Sequence, residues 1–148
     1  MEFVTESAQE TAKLGEKIIL DLISKNKGKP IVVALTGNLG SGKTTFVQGM
    51  ACVFGIKRVI SPTFIIAKIY KMSFAGYKRF IHMDFYRMED LKTAKDDPIM
   101  NEFLENSSDT RNIIVIEWAD KVSKFIPGDA TWIGFENLDQ SRRRITMF

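Results

Sequence analysis

Eight residues carry the clearest chemistry in this chain: Gly37, Asn38, Leu39, Gly40, Ser41, Gly42, Lys43 and Thr44, with Thr45 directly behind them. Gly37, Gly42, Lys43 and Thr44 meet the spacing G-x-x-x-x-G-K-[ST] of a phosphate-binding loop. Glycines let the backbone curl until several N–H groups face one anion. A following helix adds its own first-turn N–H groups and the positive end of its dipole. In such a loop the Lys43 ammonium reaches β- and γ-phosphates, and the Thr44 hydroxyl ligates Mg²⁺. ATP with Mg²⁺ is therefore the expected ligand. The pattern arises by chance in about one chain in two hundred of this length, so the surrounding elements must decide.

They have the required order. Ile31 to Leu35 is a continuous apolar, β-branched run, which suits a strand buried on both faces of a parallel sheet. Behind the loop, Phe46, Val47, Met50, Ala51 and Phe54 recur at helical spacing, and Gly55 stands where a helix-ending glycine belongs. Strand, glycine loop, helix is the arrangement a phosphate loop needs.

A site of this kind also needs a carboxylate at the end of a neighbouring strand, to hold the metal or orient water. Glu117 closes the apolar run Ile113 to Ile116, and Asp84 closes the strand Arg79 to Met83. A buried charge without a partner costs several kcal/mol, which a metal site removes. Each acid also has a structural reading, as a solvated side chain at a strand end.

The remaining elements are coarser. Phe3-Val4 reads as a short strand. Ser7 and Glu10 have capping-box spacing ahead of Ala8, Ala12, Gly15, Ile18, Ile19, Leu22 and Ile23, an amphipathic helix. Residues 64–70 and 78–84 read as an antiparallel hairpin joined through Ser73 to Gly76. Ile99 to Leu104 is a short helix and Asn106 to Asp109 a loop. Thr131 to Phe135 and Arg143 to Phe148 form a terminal strand pair with Pro127 to Asp129 as a turn before it. The expectation is one α/β domain over residues 1–148, a P-loop NTPase-like fold with a mixed, mainly parallel sheet flanked by helices.

Composition excludes several classes. Of 148 residues 45% are hydrophobic and 26% charged, which supports a packed core rather than disorder. The net charge of +3 permits contact with nucleic acid without arguing for it. The single cysteine, Cys52, cannot form an internal disulfide and reads as a small buried hydrophobe in a reducing, cytoplasmic setting. There is no signal-peptide pattern and no apolar run of about 20 residues, so no membrane role is expected. His82 is the one histidine, and without a second histidine or a cysteine pair a zinc site is not expected. In a strand of apolar residues His82 reads as a hydrogen-bonded packing residue. Arg142 to Arg144 reads as a solvated turn between edge strands, and Phe74 and Tyr77 as surface aromatics near a hairpin tip, with base stacking as the sharper alternative.

Three further segments follow the loop in order: Ser61-Pro62-Thr63-Phe64, His82-Met83-Asp84-Phe85-Tyr86-Arg87, and Glu117-Trp118. Together with Leu39 to Phe46 they resemble the bacterial TsaE (YjeE) family, from Ser7 to about Arg144. That resemblance implies an ATPase of tRNA threonylcarbamoyladenosine modification, working with TsaB and TsaD and meeting tRNA through that complex. It implies Glu117 as the metal-holding acid, Asp84 and Thr63 as catalytic groups with Lys43, and Trp118 beside the site. Arg87 would stabilise phosphate charge or pair with Asp84. The stretch from Lys92 to Asn106 departs from the family's usual glycine-containing segment. Two other readings of the loop stand beside this one. The first is a small-molecule kinase, disfavoured by the shortage of arginine between Lys92 and Arg111. The second is a nucleotide switch without hydrolysis.

Overall fold

In the computed structural model, residues 1–60, 67–86 and 98–148 are described, the side chains of 98–100 excepted. The elements in chain order are β1 (Glu2–Thr5), α1 (Ala8–Lys25), β2 (Ile31–Gly37), α2 (Lys43–Cys52), β3 (Ala67–Phe74), β4 (Tyr77–Asp84), α3 (Pro98–Ser107), β5 (Asn112–Glu117), a 3₁₀ segment Ala119–Phe125, β6 (Thr131–Asn137) and β7 (Arg143–Met147). The seven strands form one sheet in the order β1-β7-β6-β2-β5-β4-β3. Its centre is parallel: β6 with β2, β2 with β5, and β5 with β4. Both wings are antiparallel, β3 on β4 at one side and β1, β7 and β6 at the other. The expected mixed α/β architecture is thus present, with the parallel pairings gathered around the loop strand.

Strand alternation sorts the side chains into two cores. Val33, Leu35, Ile113, Val115, Phe80, Ile133 and Phe135 pack beneath α1 and α2. Val32, Ala34, Ile114, Ile116, Ile81 and Met83 pack on the opposite face with Phe103 of α3 and Val122 of the 3₁₀ segment. Burial on both faces explains why β2 and β5 are unbroken apolar runs.

Helix α1 begins as its capping spacing predicts. Ser7 is the N-cap and its Oγ accepts from the Glu10 N–H at 3.1 Å, while the Glu10 carboxylate reaches back to the Glu6 N–H at 2.7 Å. Helix α2 unwinds through Gly55 (φ +76°), where the Gly55 N–H donates to Cys52 O and the Ile56 N–H to Ala51 O. That paired bonding is a Schellman ending, and it needs the left-handed residue that Gly55 supplies.

Several expectations require correction. Cys52 is exposed, because the last residue of α2 lies on the side away from Phe46 and Met50. The β3–β4 connection is two residues rather than four. Phe74 pairs with Tyr77, and Ala75 and Gly76 both have positive φ, as a type I′ hairpin demands. Tyr77 is a core residue, 2% exposed, with its hydroxyl within 2.9 Å of the Asn26 and Lys29 carbonyls. Phe74 packs edge-on against Phe54 at 5.6 Å, so this hairpin end offers no paired stacking platform. β7 is not an edge, since β1 lies outside it, and Arg143 and Arg144 belong to the strand rather than to a turn. Helix α3 runs through Ser107, beyond the expected end at Leu104. The Ser107 hydroxyl bonds the Leu104 carbonyl and Phe103 anchors the helix in the core.

Helices α1 and α2 meet backbone to backbone. A Cβ on Gly49 would overlap the Ala12 carbonyl, and one on Gly15 would overlap the Phe46 carbonyl. This contact sets the axis of the helix that carries the loop. Gly49→Ala is expected to lower unfolding stability by about 3 kcal/mol, as overpacking does, measurable by urea denaturation. An unchanged midpoint would mean that the two helices separate at little cost.

Candidate active site

β2 delivers the chain into the loop at Gly37 (φ +140°), and the next positive angles are at Gly40 (+76°) and Gly42 (+97°). Gly37 is irreplaceable on space as well: an added Cβ would stand 2.5 Å from the Phe135 carbonyl oxygen and 3.0 Å from Ser41 Oγ. Gly42 is the N-cap of α2 and no side chain caps that end. The first-turn N–H groups therefore have no side-chain acceptor there. Asn38, Leu39 and Gly40 are exposed, Ser41 is buried, and Thr45 is half-buried in the first helical turn.

Lys43 is only 4% exposed. Its Nζ donates to the carbonyls of Gly37 at 2.6 Å and Asn38 at 2.9 Å, and lies 3.3 Å from Ser41 Oγ. It also sits 4.5 Å from the ring centroid of Trp118, within cation–π range. Burial pulls the pKa of Lys43 below the usual lysine value, while the charges of Glu117, Asp84 and Asp120 pull it back up. Trp118 reaches this position from a left-handed backbone (φ +58°), uncommon for a bulky residue. Its ring packs 5.1 Å from that of Tyr86.

The acids lie on the α2 side of the sheet. Alternation from Val115 brings Glu117 to that face, and alternation from Phe80 brings His82 and Asp84 to it. The register opposes Leu35 and Asp84 to Glu117 from its two sides. Glu117 is 3% exposed. Its Oε1 accepts from Thr44 Oγ1 at 3.0 Å, and its Oε2 lies 2.6 Å from His82 Nε2. Asp84 Oδ1 accepts the Tyr86 N–H at 2.9 Å. Burial raises the Asp84 pKa; the Tyr86 N–H opposes this, Glu117 adds to it, and His82 and Lys43 oppose it.

These donors fit a hard divalent cation. A hydroxyl and a carboxylate converge, both oxygen ligands of the kind Mg²⁺ takes. Among the described residues no group of three acidic, histidine or cysteine side chains is gathered into a cage. Mg²⁺ characteristically binds one or two carboxylates together with water and phosphates, so a sparse protein contribution suits it.

The model of the family "Threonylcarbamoyl adenosine biosynthesis protein TsaE" matches residues 5–145. The chain belongs to the TsaE family. A TsaE protein of Treponema pallidum is 33% identical over 148 residues, 99% of either chain. That of Bacillus subtilis is 35% identical over 116 residues, 78% of this chain and 67% of the relative. That of Aquifex aeolicus is 31% identical over 150 residues, 99% of this chain and 95% of the relative. The crystal structure of Bacillus subtilis YdiB superposes with a TM-score of 0.69 at 27% identity, over 99% of this chain and 83% of that one. Membership gives the chain a part in tRNA threonylcarbamoyladenosine biosynthesis and a P-loop NTPase-like character.

Within this TsaE chain the structure brings together Gly37 to Thr45, Asp84, Glu117 and Trp118. Thr63 and Arg87 lie outside the described residues. Two neighbours of the site come from outside its motifs. His82 is buried and hydrogen-bonded, as its apolar strand implies, and it shares a strand face with Asp84 two residues on. Arg143 lies behind the loop, its Nη2 3.4 Å from the Gly40 carbonyl. It comes from the far end of the chain, and no local pattern announces it.

The raised Asp84 pKa has a thermodynamic sign. The folded chain holds the proton more tightly than the unfolded chain, so stability falls as pH rises from the ordinary carboxylate range through the raised value. Asp84→Asn removes that loss. Without nucleotide or Mg²⁺, the variant is expected to melt above the parent at neutral pH, with the gap narrowing as pH drops below the ordinary aspartate value. A gap independent of pH would contradict the burial argument.

Proposed function

We propose that this chain binds and hydrolyses ATP with Mg²⁺, and that it does so with TsaB and TsaD in modifying the adenosine beside the tRNA anticodon. The observation that carries the reading is the bond from Thr44 to Glu117, 73 positions apart, at the mouth of a loop whose lysine is already turned inward. A threonine hydroxyl and a buried acid meet there for no evident packing reason, whereas together they are the oxygen ligands that a nucleotide-bound Mg²⁺ would take from the protein.

In this reading Gly37 to Thr45 wrap the phosphates with backbone N–H groups, and Lys43 exchanges its loop carbonyls for phosphate oxygens. Thr44 and Glu117 would hold Mg²⁺, which would supply positive charge beside the phosphate oxygens. Asp84, with its raised affinity for a proton, is proposed to orient the attacking water and take up a proton from it. Thr63 is proposed to approach the γ-phosphate, a role that rests on the segment Ser61-Pro62-Thr63 alone. Trp118 shields the Lys43 ammonium from water on one side. Hydrolysis would drive or reset the TsaB–TsaD complex, with tRNA met through that complex in the cytoplasm. No helix among the described residues is long and apolar enough to cross a membrane.

ATP hydrolysis by the purified chain, alone and with TsaB and TsaD, tests the proposal. Turnover is expected to rise with the pair and to vanish in Lys43→Ala. Turnover that survives Lys43→Ala would remove the central claim. Nucleotide binding without stimulation would favour a switch, and phosphate transfer to a small metabolite would favour a kinase.

Thr44→Ala should weaken nucleotide binding in Mg²⁺ more than in EDTA, because only the former uses the hydroxyl as a ligand. Titration with a fluorescent ATP analogue measures both. Equal losses would rule against Thr44 as a ligand.

A further inference from the structure

His82 is wholly closed to water, and among the described residues its ring bonds only Glu117, a residue of the site. An ionised carboxylate only accepts hydrogen bonds, so the 2.6 Å contact with Glu117 Oε2 puts the hydrogen on His82 Nε2. Nδ1 is buried and has no partner among the described residues.

Packing does not explain this arrangement. An apolar side chain on this buried strand face would fill the same room without burying a nitrogen that has no partner among the described residues. The Glu117 carboxylate, in contrast, needs a second anchor. Its terminal torsion is soft, and the Lys43 ammonium attracts it. A carboxylate free to turn toward Lys43 would leave Thr44. His82 and Glu117 sit on adjacent parallel strands, with His82 opposite Val115 in the ladder, so the anchor is as rigid as the sheet.

We infer that His82 is a positioning residue: by donating from Nε2 to Oε2 it holds the Glu117 carboxylate with Oε1 toward Thr44, oriented for a divalent cation. The inference rests on the reading of Thr44 and Glu117 as magnesium ligands. Partners that orient a metal ligand typically contribute 10- to 100-fold in metal affinity.

The test compares His82→Leu, His82→Gln and His82→Asn by affinity for a fluorescent ATP analogue in Mg²⁺ and in EDTA, with thermal unfolding to show that each is folded. His82→Leu should lose about 10- to 100-fold of the gain in affinity that Mg²⁺ confers, with affinity in EDTA unchanged. His82→Gln, whose amide reaches as far as Nε2, should restore most of it, whereas the shorter His82→Asn should not. The Gln and Asn pair carries the comparison even where His82→Leu fails to fold. In a Glu117→Gln background the His82 variants should change the Mg²⁺ gain no further.

A full Mg²⁺ gain in folded His82→Asn, or losses that add to those of Glu117→Gln, would overturn the inference. A parent chain that binds nucleotide equally with and without Mg²⁺ would sink the reading of Thr44 and Glu117, and the role of His82 with it. Nitrogen NMR of the nucleotide-free chain gives an independent readout, unambiguous because there is one histidine. It should show a proton on Nε2, and a bare Nε2 with the proton on Nδ1 would overturn the inference whatever the nucleotide data show.

Discussion

Glu117 carries a carboxylate into a place almost closed to water, and a charge there costs several kcal/mol unless donors and cations surround it. The fold supplies them from three directions. Thr44 comes from the helix behind the loop, His82 from the neighbouring strand, and the Lys43 ammonium from across the site. Each of these is held by something else: Thr44 by the axis of α2, His82 by the β4–β5 ladder, Lys43 by two loop carbonyls. The acid thus ties together the loop, the sheet and the first turn of α2.

The sheet makes this meeting possible because its middle is parallel. β2, β5 and β4 all end on one side, so Gly37, Glu117 and Asp84 arrive together at their carboxyl ends. Open α/β sheets gather their ligand sites there for the same reason. The antiparallel wings serve a different purpose. They lengthen the sheet on either side and cover the flanks of the central strands, and two of their residues meet the loop, Phe135 of β6 beside Gly37 and Arg143 of β7 beside Gly40.

What the sequence made legible was what is local. The loop, its strand, its helix and the glycine that ends it lie within residues 31–55, and their residue types dictate their conformation. Glu117 and Asp84 stand at the strand ends where the sequence put them, Glu117 closing an apolar run and Asp84 closing β4. The failures share one cause, dependence on distant neighbours. Cys52 has apolar neighbours along the chain yet faces outward, since exposure is set by which side of α2 meets α1. Tyr77 looked like a hairpin-tip aromatic because the carbonyls of Asn26 and Lys29 that hold it come from the other end of α1. β7 looked like an edge because four residues at the start of the chain cover it. His82 is buried and hydrogen-bonded, as its apolar strand implies, but which residue it bonds was not legible, because that partner is 35 positions away.

The lysine contacts within the loop have a consequence for ligand strength. Lys43 already donates to Gly37 and Asn38, so in the proposed ATP site an arriving phosphate would not add bonds to an idle ammonium; it would substitute for them. The loop's own carbonyls act as an internal competitor, always present and held at high effective concentration by the chain itself. Affinity at this position is then a difference between two good sets of partners, a small number even where each set is strong. In the proposed site such a loop would also release its ligand readily, because the carbonyls of Gly37 and Asn38 that replace the phosphate lie within the same loop.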